Sequence, residues 1–144
     1  MNIDPTLWSK LHGAATHFPI ALMLVSAFCD GAGLLPGDAE WQRGFRFAAT
    51  VTLVLGALGS YAAVSSGLVM TKAQVWGHGA LLLHHLFVWP AFALMSGLAA
   101  WRITTRHRAA TRPTAIYVAL MFLSAALMSG AGYWGGELLN QLAP

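Results

Sequence analysis

Residues 11–22 read LHGAATHFPIAL. The stretch places His12 and His17 at the mouth of a long apolar run, with Pro19 two residues beyond the second histidine. Imidazole is polar and titrates near neutrality, so at membrane depth it needs a partner or a task. Residues 76–85, WGHGALLLHH, take His78, His84 and His85 into another apolar run. Five of the six histidines therefore fall in two short segments, one on each of two expected membrane helices.

Composition agrees with a chain built for lipid. Of 144 residues, 57% are hydrophobic and only 9% charged, with mean hydropathy +0.60. A soluble domain carries roughly 25% charged residues, so this chain has too few polar groups to cover a surface in water. The length predicts one domain, 1–144, without a soluble catalytic domain beside the membrane part. The net charge of +3 comes from loop arginines and suits anionic lipid and orientation rather than nucleic acid. One cysteine, Cys29, excludes an internal disulfide and a cysteine-ligated zinc or iron–sulfur centre within the chain. The first ten residues lack the basic start of a cleavable signal.

The expected fold class is all-α, an integral membrane four-helix bundle. Asp4-Pro5 reads as a helix start, and Pro36-Gly37-Asp38 as its end, giving a first helix over about 5–35. Pro19 predicts a kink beside His17. A second helix is expected over 45–70, with Gly56, Ser60, Ala63 and Gly67 on one small-residue face suited to close packing or to a flat macrocycle. The third and fourth are expected over 74–102 and 113–136, joined by the basic loop Thr104–Arg112. Spans of about 20 residues match the ~30 Å hydrocarbon layer. No internal repeat is visible.

Four spans put the first and third loops on one side. Arg43, Arg46, Arg102, Arg106, Arg108 and Arg112 belong there, against Lys10 and Lys72 on the other side. That bias predicts those loops in the cytoplasm, and both termini in the periplasm of a bacterial inner membrane.

With Trp8 and Trp76 as markers of the outer interface, His17 is nine residues in, and His84 and His85 are eight and nine. At 1.5 Å per residue these share a depth of about 12–14 Å, while His12 and His78 are shallower. Two imidazoles from different helices at one level suit axial ligation of haem iron, with hydrogen bonds to the ligands tuning its potential. Small neighbours at Gly13, Ala14 and Ala21 leave room beside His17, and Gly77, Ala80 and Ala91 beside His84. His85 shares a face with His78, so the partner of His17 is His84 or His85. His12 and His78 are candidates for a second level of cofactor binding or for solvated interfacial residues. His107, among loop arginines, reads as solvated. Asp30 reads as the partner of Arg43 or Arg46. Glu137 is a candidate to take a proton from a quinol, or else a solvated carboxylate.

His12, HFPIAL at residues 17–22, the histidine of the third helix and GGEL at residues 135–138 together resemble a bacterial family of four-helix membrane proteins of unknown function. Members often have proline after the first histidine, where this chain has Gly13. Members also occur fused to Rieske iron–sulfur or c-type cytochrome modules, which implies a membrane redox component. The leading expectation is a b-type cytochrome subunit holding haem b and relaying electrons between the quinone pool and a periplasmic dehydrogenase or cytochrome c, beside other membrane subunits. A cofactor-free anchor of such a complex is the second reading, in which the histidines only pack. A transition-metal transporter is the third, weakened by the absence of a cysteine cluster and of an acidic path across the bilayer.

Overall fold

In hydrocarbon every backbone N–H and C=O has to be satisfied within its own segment, which makes long apolar runs helical. The computed structural model describes residues 7–105 and 115–140. It contains α1 (Leu7–Ala32), α2 (Ala39–Met70), α3 (Ala80–Thr105) and α4 (Ala115–Asn140). Each is long and apolar enough to cross a bilayer. The protein is an all-α bundle of four membrane-spanning helices. The helix start expected at Asp4-Pro5 and the basic segment 106–112, with His107, lie outside the described residues.

Two helix starts lie well away from expectation, while the other described boundaries shift by a few residues. The second helix begins at Ala39 rather than near Phe45, because Asp38 caps it: the Trp41 N–H donates to Asp38 Oδ1 at 2.7 Å. The third begins at Ala80 rather than near Gln74. Lys72 (φ 53°), Ala73 (φ 62°) and Gly79 (φ 59°) take left-handed conformations that no helix can contain. The Ala73 N–H donates to the Leu68 carbonyl at 2.7 Å and closes the end of α2. The segment 71–79 then folds back against α3. Trp89 Nε1 donates to the Val75 carbonyl at 3.0 Å, and Gly77 meets Leu81 so closely that a Cβ would collide.

Neighbouring helices run antiparallel. Along α1 and α2, Gly33 lies by Phe45, Ser26 donates to the Ala49 carbonyl, Leu22 lies by Gly56 and Phe18 by Gly59. Along α3 and α4, Trp101 packs edge-on against Tyr117, and Phe87 against Gly130. Helices α1 and α4 meet at Gly31–Phe122 and Ile20–Gly132, while α2 and α3 meet at Gly56–Met95 and Tyr61–Phe92. That leaves α1 and α3 on a diagonal of the bundle. Met23, Leu53, Met95 and Met121, one from each helix, are fully buried at its centre. The lateral surface is apolar, with Phe18, Phe28, Phe47, Leu58, Ile116 and Phe122 exposed. Polar side chains go the other way: Asp30, Ser26, Ser60 and Ser124 are buried. Such a distribution is stable with lipid as solvent.

The two ends of the bundle are built differently. At one end Asp30, fully buried, accepts two hydrogen bonds from Arg102, at 2.9 Å from Nη1 and 2.8 Å from Nη2. Arg102 also donates from Nε to Thr50 Oγ1 at 3.0 Å and from Nη2 to the Arg46 carbonyl at 3.3 Å. Its guanidinium lies 5.2 Å from the Tyr117 ring centroid. All four helices therefore meet in one ionic node. The partner of Asp30 is Arg102, not Arg43 or Arg46. Arg43 is exposed on α2, and Arg46 donates from Nε to the Gln42 carbonyl of its own helix. The opposite end is hollow.

Candidate functional site

The hollow is a cavity of about 420 Å³ walled by all four helices, with Thr71 at the end of α2 also in its wall. That size lies within the roughly 300–1,000 Å³ of small-molecule and cofactor sites. Four of the histidines singled out from the sequence, His12, His17, His84 and His85, line it. His78 does not: it is exposed within the 71–79 segment. Glu137 lies between two wall residues of α4, Gly136 and Leu138, half-buried and engaged in interactions of its own.

His12 of α1 and His84 of α3 are held alike. His12 Nδ1 donates to the Ala63 carbonyl of α2 at 2.9 Å, with Ser66 Oγ at 3.2 Å. His84 Nδ1 donates to the Ala131 carbonyl of α4 at 2.9 Å. A carbonyl can only accept, so the proton is fixed on Nδ1 and the lone pair on Nε2. Each ring also rests on a glycine four residues after its carbonyl. A Cβ on Gly67 would lie 2.9 Å from His12 Cε1, and one on Gly135 would lie 3.4 Å from His84. The sequences beneath the rings, AVSSG at 63–67 and AGYWG at 131–135, share the alanine and glycine that matter here. This local equivalence of the two hairpins is invisible as a repeat, because only two positions in five coincide.

The other two wall histidines differ from this pair and from each other. His17 follows His12 by five residues, about 140° around α1, and is exposed. His85 is buried, 5.8 Å from the His84 ring centroid and 6.0 Å from that of Trp89, and its Nδ1 has no hydrogen-bond partner. The small face of α2 serves both packing and space. Gly56 takes Leu22 of α1, whereas Ser60, Ala63 and Gly67 form cavity wall.

The donor set fits a macrocyclic metal cofactor. His12 and His84 come from diagonal helices and line one cavity. A histidine ligand characteristically donates its second N–H to a carbonyl, carboxylate or water, fixing tautomer and ring direction. Both imidazoles already do so. A bare ion of the zinc type needs three or more protein ligands, and among the described residues no three His, Cys, Asp or Glu side chains converge in that way. A porphyrin supplies four equatorial nitrogens itself and needs only two axial imidazoles.

No curated protein and no solved structure matches the chain. The family model described as "Predicted membrane protein (DUF2231)" matches residues 9–143. Spanning almost the whole four-helix bundle, that match makes the chain a member of the DUF2231 family of predicted membrane proteins.

Proposed function

We propose that this protein is a b-type cytochrome subunit of a membrane redox complex, with haem held between His12 and His84. The observation that supports it is the matched anchoring of the two imidazoles: each has Nδ1 committed to a helix carbonyl and Nε2 left for the cavity. Bound there, the iron would exchange single electrons between its ferric and ferrous states. The chain's own part is to fix both rings on their carbonyls, with Gly67 and Gly135 beneath them leaving each imidazole room to lie there. The imidazole pair suggested by depth and small neighbours, His17 with His84 or His85, gives way in this reading to His12 with His84, because His17 is exposed at the cavity edge and His85 lacks an anchor.

The positive-charge bias supports an inner-membrane orientation with both termini and the hollow end facing the periplasm. The redox partners in this reading are the quinone pool on the lipid side and a periplasmic dehydrogenase or cytochrome c at the hollow end. Purification in mild detergent from haem-replete cells tests the assignment. The expected product has a reducible, low-spin, six-coordinate b-type spectrum and one haem per chain. A colourless protein with no extractable haem overturns it in favour of a cofactor-free anchor.

A further inference from the structure

Every described residue of the cavity wall is buried or half-buried except three: His17 on α1, and Gly132 and Gly136 on α4. The cavity therefore opens sideways through the α1–α4 seam, within the spans Lys10–Ala32 and Ala115–Leu138. Further along, the seam is shut. A Cβ on Gly132 would lie 3.2 Å from Ile20, and one on Gly31 would lie 3.4 Å from the Phe122 ring. Above Ile20 the antiparallel register sets His17 across from Gly135 and Gly136. A Cβ on Gly136 would meet nothing within 4 Å, and neither would one on Gly13, a wall residue one turn from His17. Glycine inside a helix costs about 1 kcal/mol relative to alanine. Close packing is its usual return, and these two positions have none. They leave an open slot instead.

Polar groups stand at both depths of the slot. His17 is seven residues into its span, about 10 Å by helical rise, where an imidazole facing hydrocarbon is unfavourable unless something bonds it. Within, His85 is only 7% exposed and its Nδ1 has no hydrogen-bond partner in the protein, and a buried polar atom is costly to leave unpaired.

We propose that this slot binds a membrane-dissolved quinone, whose ring enters from the lipid between α1 and α4 and whose oxygens are met by His17 at the mouth and His85 inside. Such a molecule arrives laterally, is flat enough to pass between glycines, carries no charge and presents hydrogen-bonding oxygens on opposite edges of its ring. A phospholipid head group stays at the interface, and an acyl chain offers the imidazoles nothing. The proposal rests on the redox reading above and locates the site of its lipid-soluble partner.

The test titrates the full-length protein in nanodiscs with decylubiquinone, reading quenching of tryptophan fluorescence, with haem content measured on the same samples. Trp89 lines the cavity, so saturable quenching is expected, and Trp89→Phe should remove most of it. His17→Phe, which suits lipid, and Gly136→Leu, which fills the slot, are each expected to weaken binding at least tenfold while leaving helicity and haem content unchanged. Should one variant fold poorly, the other still decides. Non-saturable quenching, or wild-type affinity in the folded variants, overturns the quinone site. So does a stable dimer crosslinked through Gly136→Cys, because a second copy would then cover the seam. A colourless protein that still binds decylubiquinone through His17 overturns the haem assignment alone, and a haem-loaded protein that does not bind it overturns the slot alone.

Discussion

An imidazole has two nitrogens, and which one is committed decides what the other can do. At His12 and His84 a backbone carbonyl takes the Nδ1 proton, so Nε2 is the free base. His12→Ala and His84→Ala are therefore each predicted to leave five-coordinate, high-spin iron or to lose haem altogether, as read from the absorption spectrum. His78→Ala, exposed in the 71–79 segment, and His17→Ala are predicted to keep the low-spin spectrum. A His17→Ala protein without haem, beside a fully loaded His12→Ala protein, would reverse the assignment. The sequence made the histidines legible as a set, because imidazoles are conspicuous in apolar runs, but neither their levels nor their direction around the helix could be read from it. Counting helical rise from Trp76 fails because α3 begins only at Ala80, which leaves His84 four residues into its helix, as His12 is five residues into α1. In water an amphipathic stripe marks the inner face of a helix, but lipid is as apolar as a core, so Phe18 and Phe28 lie outside as readily as Met23 lies inside. With no stripe to orient α1, nothing in the sequence marks His12 rather than His17, about 140° away, as the imidazole anchored on α2.

At the scale of the helix, glycine is placed with two opposite purposes, and substitution should tell them apart. Gly67 lies under the His12 ring, and an added Cβ would come within 2.9 Å of it. Gly67→Leu is predicted to push the imidazole off its carbonyl, lowering haem occupancy several-fold while circular dichroism still reports four helices. At Gly44 and Gly97 an added Cβ meets nothing within 4 Å, and both are exposed. Alanine there should be neutral or stabilising by up to about 1 kcal/mol, and a loss of haem in either would undercut the distinction. Helix existence was readable from length and apolarity, whereas helix starts were less so. Asp38, with Glu40 in the first turn, is a cap signal for α2, but Pro36-Gly37-Asp38 reads equally as the end of the helix before it. The start of α3 turns on left-handed Lys72 and Ala73, residue types that give no warning of that conformation. Gly77 and Gly79, flanking His78, were the available hint.

At the scale of the molecule the bundle is tied at one end and hollow at the other. Topology follows from charge: reporter fusions are predicted to place the 71–79 segment outside and the 33–38 connection in the cytoplasm, and the reverse would set the hollow end against cytoplasmic partners instead. The tied end depends on Asp30 and Arg102, 72 residues apart in sequence, a pairing that only the packed bundle reveals. A buried ion pair contributes little net stability, but breaking one leaves an uncompensated charge, at a cost of about 3–5 kcal/mol. Asp30→Leu alone strands the Arg102 guanidinium, and Arg102→Met alone strands a fully buried carboxylate. Each is predicted to lower the unfolding midpoint in detergent sharply. The double variant should recover most of that loss, because Thr50 Oγ1 keeps its bond to the Arg46 carbonyl and both substitutes are apolar. Haem affinity in the folded double variant should match the wild type, since the node lies at the opposite end of the bundle from His12 and His84. A double variant no more stable than the singles would mean that the node acts through its shape rather than its charges. One that folds but no longer holds haem would mean that the two ends are coupled along the helices.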